Sequence, residues 1–110
     1  MPKDLVKIVV FVPKKHADLV RKAIGNTGGG NIGNYSHCSF STEGVGRFKP
    51  LLGAKPAIGK IGKLEEVLEE RVEFICSRTK AKEIISAIKK VHPYEEVAFD
   101  IYPLISETDL

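Results

Sequence analysis

Apolar and polar positions recur along this chain in two periods, and the switches between those periods mark out six elements. Residues 5–12, LVKIVVFV, are apolar and largely β-branched except for Lys7, which predicts a strand buried on both faces and central in its sheet. Pro13 closes that run. Ala17, Val20, Ala23 and Ile24 then recur at helical spacing opposite Lys15, Asp18, Arg21 and Lys22, and Gly25 and Asn26 suit the end of a helix. A strand is expected over residues 34–42, with Cys38 and Phe40 on one face and Tyr35, His37 and Ser39 on the other. In residues 64–76 Leu68, Val72, Phe74 and Cys76 face one way and Glu69, Arg71, Glu73 and Ile75 the other, with Glu70 a polar exception on the apolar side. Thr79 is a candidate cap for a second helix, whose stripe is Ala81, Ile84, Ile85, Ile88 and Val91 and whose stop is Pro93. A last strand is expected over 94–102, with Val97, Phe99 and Ile101 opposite Glu96, Ala98, Asp100 and Tyr102, and residues 106–110 are expected to fray.

The order β-α-β-β-α-β predicts an α+β, ferredoxin-like sandwich: a four-stranded antiparallel sheet with two helices on one face. Its uncovered face would carry Glu69, Arg71, Glu73, Ala98, Asp100 and Tyr102, either solvated or walled in by a second subunit. Between the second and third strands lies EGVGRFKPLLGAKPAIGKIG at 43–62, rich in glycine and proline. It reads as a protruding β-arm with a hairpin across Gly44, Val45 and Gly46, and so long an insertion in a small fold points to oligomerisation or ligand capture.

At 110 residues the chain is sized for one domain spanning 1–110, with little left over for an enclosed active site. The net charge of +3, from 17 basic and 14 acidic residues, is too small and too mixed for a nucleic-acid surface. No apolar run is long enough to span a membrane. The N-terminal Met1, Pro2, Lys3 and Asp4 lead straight into a strand-like run without a small-residue cleavage site, which predicts no signal peptide and a cytoplasmic protein. Cys38 and Cys76 lack a CxxC spacing and are expected to be free thiols.

Two motifs invite chemistry. Gly28 to Gly33 matches GxGxxG by letter, but a helix precedes it and a strand follows, the reverse of a dinucleotide site. The loop could still offer backbone N–H groups to an anion, which makes Gly30, Asn31, Gly33, Asn34, Tyr35 and His37, together with Tyr94, the candidate ligand-binding residues. The cluster His92, Pro93, Tyr94, Glu95 and Glu96 joins an imidazole to two carboxylates. With His37 it supplies the candidate metal ligands His37, His92, Glu95 and Glu96 for a divalent ion, the one cofactor to consider. His92 with Glu95 or Glu96 is also the sole candidate acid–base pair. The bland alternative is that His92 caps the second helix while both carboxylates are solvated. No nucleophile elbow, Walker loop or HExxH is present, so no catalytic residue is assigned.

Longer strings carry a resemblance. GNYSHCSFS at 33–41, EGVGRFKP at 43–50, GAKP at 53–56 with Ile58 and Gly59, Val72 with Glu73, and HPYEEVAFDIYP at 92–103 resemble the domain inserted in NIF-three-like proteins, over about residues 5–104. That insert is similar to the PII signalling and CutA proteins, which are ferredoxin-like trimers. The resemblance implies the fold and a homo-oligomer, a trimer by preference, with a separate protein as a further possible partner. It does not carry over the two-metal site of the larger family members, whose flanking halves have no counterpart here. The function expected is therefore that of a regulatory or ligand-binding module, with a metal-responsive protein as the alternative.

Overall fold

The computed structural model describes residues 4–110; residues 1–3, on which the no-leader expectation partly rests, lie outside the described residues. Four strands, β1 (Leu5–Pro13), β2 (Phe40–Phe48), β3 (Glu65–Ser77) and β4 (Phe99–Pro103), form one antiparallel sheet in the order β2-β3-β1-β4. Helices α1 (Ala17–Asn26) and α2 (Arg78–Val91) both cover the same face, completing the ferredoxin-like arrangement.

The core is the space between sheet and helices. From β1 it takes Val6, Ile8, Val10 and Val12, from β3 Val72, Phe74 and Cys76, and from the helices Val20, Ile24, Ile84 and Ile88. These are the alternate positions of the strands and the apolar stripes of the helices, so period 2 meets period 3.6 at one layer. Glu70, the polar exception, falls on this side too. It survives there because Arg21 of α1 donates to its Oε1 at 2.5 Å, while also donating to Asp18 at 2.6 Å and to Ser41 of β2 at 3.0 Å. One guanidinium thus ties α1 to β3 and to the edge strand β2.

On the opposite face β1 presents Lys7, Val9 and Phe11. Val9 has no exposed surface although no helix covers it. Its cross-strand partners are Glu73 and Asp100, and Glu73 is held by Lys7 at 3.6 Å and by Arg71 at 3.2 Å. Arg71 also lies 6.0 Å from the centre of the Phe11 ring. Val9 is thus flanked on this face by charged side chains, several of them joined in ion pairs.

Several boundaries differ from the sequence reading. Residues 34–39 are a loop, and β2 begins only at Phe40 and runs to Phe48 straight through Gly44 and Gly46, so no hairpin turn lies there. A strand tolerates Gly46 at this point because a Cβ on it would collide with the Glu69 carboxylate, which lies over its Cα. The true connection is the tip at 49–64, closed by the Gly62 N–H donating to the Pro50 carbonyl at 2.7 Å. β3 is longer than β1, and its first residues, 65–68, pair with β2 alone, so this hairpin extends past the rest of the sheet. The α2 cap is Ser77, not Thr79, which lies inside the first turn. Residues 94–98 lie outside β4, and the tail closes in a short 3-10 turn, Glu107–Asp109, where the Ser106 hydroxyl accepts from the Thr108 N–H.

Ile84 is fully buried between helix and sheet, whereas Leu19 on α1 is exposed. We expect Ile84→Ala to lower the unfolding free energy by about 2–5 kcal/mol in urea denaturation, and Leu19→Ala to change it little.

Candidate functional site

The segment that follows α2 is pinned to the end of β1 by one imidazole. His92 ends the helix, is buried, and donates its Nε2–H to the Phe11 carbonyl at 2.7 Å, while its Nδ1 accepts from the Tyr94 N–H at 3.1 Å. Both ring nitrogens are thereby committed to backbone in the neutral Nε2–H form. Burial holds its pKa below the ordinary 6.5, outweighing the opposing pulls of the Phe11 carbonyl and the Glu69 charge. The acid–base pairing of His92 with Glu95 or Glu96 is not assembled: Glu95 instead accepts the Lys55 N–H at 2.7 Å and clasps the arm tip.

Tyr94 is thrown by this arrangement over the uncovered face. Its hydroxyl donates to Glu69 Oε2 at 3.1 Å, and its ring meets Phe48 edge-on with centroids 5.6 Å apart. Burial, and then the neighbouring Glu69 carboxylate, push its phenol above the ordinary range. Phe11, Phe48, Glu69 and Tyr94, with Pro50 and Ile58 from the tip of the hairpin, line a cleft of about 580 Å³. A second hollow of about 300 Å³ shares Phe11, Gly46 and Glu69 with it and continues towards Arg71. Glu69 therefore stands at the junction of the two, and only 8% of it is exposed.

The glycine-loop residues lie elsewhere. Gly30 donates its N–H to the Ile75 carbonyl at 2.7 Å, and Ile75 pairs with Lys7 of β1. His92 grips Phe11, four residues further along that strand, or about 13 Å away. So Gly30, Asn31, Gly33, Asn34, Tyr35 and His37 sit at one end of the sheet and Tyr94 at the other. Four of the loop N–H groups, on Gly28, Gly29, Gly30 and Ile32, are spent on carbonyls of the protein itself, which removes most of an anion nest. His37 has a φ of 61° and lies over Gly25, where a Cβ would collide with its ring; its nitrogens meet Ser36 Oγ at 2.9 Å and Asn26 Oδ1 at 3.2 Å. The metal set His37, His92, Glu95 and Glu96 is split in the same way. Among the described residues no three His, Cys, Asp or Glu side chains converge on a point that could hold an ion. Cys38 and Cys76 are both free.

Phe11, Phe48 and Glu69 are the cleft residues that sequence reasoning missed. The alternation of β3 did place Glu69 on the uncovered face, but nothing local distinguishes a carboxylate bathed in water from one under a tyrosine contributed by residue 94. The glycine at position 46 is the trace that the side chain leaves in the sequence.

Comparison with known proteins bears on the family. No family model matches the chain. It is 56% identical over 100 residues to a GTP cyclohydrolase 1 type 2 homolog of Bacillus subtilis, covering 91% of the chain and 27% of that protein. A like-named protein of Halalkalibacterium halodurans is 50% identical over 104 residues, covering 94% of the chain and 28% of that protein. Among solved structures, a Bacillus cereus protein related to NIF3 superposes with a TM-score of 0.83 at 49% identity, over 94% of this chain and 26% of that one. The chain is similar to one section of each of these proteins. It spans little more than a quarter of the length of these relatives. The divalent cation tolerance protein CutA of Archaeoglobus fulgidus shares the fold, with a TM-score of 0.65 at 16% identity over 91% of this chain and 83% of that one. The NIF3-related and CutA-like resemblance read from the motif strings is thus confirmed, and with it the ferredoxin-like fold.

The His92 geometry makes a pH prediction. A neutral imidazole is favoured by folding, so the unfolded chain takes up a proton first as pH falls below 6.5. Its stabilising contribution is complete above that pH and is lost as pH falls towards the depressed folded value. We expect the thermal midpoint to drop between neutral and mildly acidic pH, and that drop to shrink in His92→Gln, measured by circular dichroism across the range.

Proposed function

We propose that this chain is a ligand-binding, regulatory module that works as a homo-oligomer, a trimer by preference. The observation that carries this reading is the cleft between the uncovered sheet face and the β2–β3 hairpin, floored by Phe11, closed by Tyr94 and Phe48, and of a size suited to a small molecule. Self-association is supported by apolar side chains left outside the core: Phe40 is 67% exposed on the open face of β2, and Leu52 is 95% exposed at the tip of the hairpin. The trimer is the assembly implied by the resemblance to PII and CutA proteins. A separate protein is the alternative occupant of the same apolar surface.

A metal-responsive role has less in its favour, since its candidate ligands lie at two ends of the sheet. Two free thiols fit a reducing compartment such as the cytoplasm. Among the described residues no helix is long and apolar enough to cross a membrane.

Native mass spectrometry over a wide range of protein concentration tests the assembly. We expect a discrete oligomer, with the trimer dominant, and its dissociation in Phe40→Asp without loss of the folded circular dichroism spectrum, because Phe40 lies outside the core. A monomer at every concentration would overturn the oligomeric reading.

A further inference from the structure

Glu69 is the most buried charged side chain lining the cleft. It is more than nine-tenths buried, yet the Tyr94 hydroxyl, on Oε2, is the single side-chain donor to it among the described residues. No lysine or arginine among those residues pairs with it. Arg47 is engaged by Glu66 at 2.7 Å, Arg71 by Glu73 at 3.2 Å, and Lys49 lines the cleft without reaching Glu69. A mostly buried carboxylate with one neutral donor keeps acceptor capacity on Oε1, which a cation brought by a ligand would take up.

The walls define the rest of that ligand. Phe11, Phe48 and Tyr94 surround the carboxylate with aromatic surface, and Pro50 and Ile58 extend the apolar wall along the hairpin tip. Glu95 and Glu96 stand at the same cleft, so its mouth is acidic with Lys49 as the one unengaged cation among the lining residues described. Aromatic rings beside an acid favour an organic ammonium through cation–π attraction and a charge-assisted hydrogen bond. A bare divalent ion is poorly served here, since hard cations gather six or more oxygen ligands and no three His, Cys, Asp or Glu side chains among the described residues converge on one point. An anion would meet three carboxylates.

We propose that the cleft binds a small organic amine with a planar apolar body, its ammonium on Glu69 Oε1 and its body against Phe11, Phe48 and Tyr94. Tyr94, by holding Oε2, leaves Oε1 as the free acceptor, and the bare Cα of Gly46 is what lets the carboxylate lie at this place. The proposal rests on the cleft being the binding site, as put forward above.

The test is a two-dimensional amide NMR titration of the intact protein with phenethylamine, its neutral analogue 2-phenylethanol and the anionic 3-phenylpropionate. Phenethylamine is expected to shift the amides of Gly46, Phe48, Tyr94 and Ala98 and to bind at least about tenfold more tightly than the alcohol. Glu69→Gln, which preserves shape and an acceptor for Tyr94, is expected to erase that preference. The comparison of amine with alcohol on the unmodified protein stands even if this variant does not fold. Equal binding of amine and alcohol, or binding of the acid alone at these amides, overturns the amine assignment and leaves the cleft as a binding site. Shifts elsewhere, no shifts with any probe, or cleft amides that respond to protein concentration and not to probe overturn both, the last because a second copy then fills the cleft.

Discussion

Strand β1 has to be buried on both faces, while the fold provides helices for only one. Its even-numbered side chains are absorbed by α1 and α2 in the ordinary way. On its other face Val9 is buried among Glu73, Asp100 and the ion pairs that Glu73 makes with Lys7 and Arg71, and Phe11 lies under Arg71 towards the far end of the sheet. That far end is where Phe11 projects, and the hairpin tip, Tyr94 and Glu69 all gather around it. The cleft is thus a by-product of how an apolar central strand is finished on its uncovered side.

His92 is what gives that arrangement its stiffness. A residue that sequence chemistry nominates as a ligand or a base instead spends both nitrogens on backbone, one from β1 and one from its own segment. By doing so it ends α2, fixes the path of residues 92–98 against β1, and delivers the Tyr94 ring to Glu69. The Ala98 carbonyl continues the same attachment by accepting the Phe11 N–H at 3.1 Å. A side chain remote from any bound molecule can in this way decide the shape of the cleft.

Periodicity made the two helices, the central strand and the faces of β3 legible, because burial imposes those patterns on every residue of an element. The errors lie where tertiary contacts override local chemistry. Gly44 and Gly46 look like a turn, but β3 offers a full complement of backbone partners across from them, and the strand continues. Residues 34–39 look like a strand, but Gly30 and the mutual pairing of Ile32 with Tyr35 consume their hydrogen bonds in a turn. For the site, Tyr94 was readable from its cluster, whereas Glu69 acquires its meaning only from a residue 25 positions away.

The placement of Glu69 over Gly46 has a further consequence, for the pairing of β2 with β3. That hairpin runs past the rest of the sheet with no third strand to hold its alignment. A slip of one residue turns every side chain to the wrong face, but a slip of two preserves the alternation and would otherwise pass unnoticed. Moved two places so that Gly46 stands opposite Glu69, the strand would bring Phe48 to the spot the glycine now leaves bare, and the carboxylate would strike a ring. A single missing side chain thus serves as a one-way notch, barring the slip that would carry Phe48 inward.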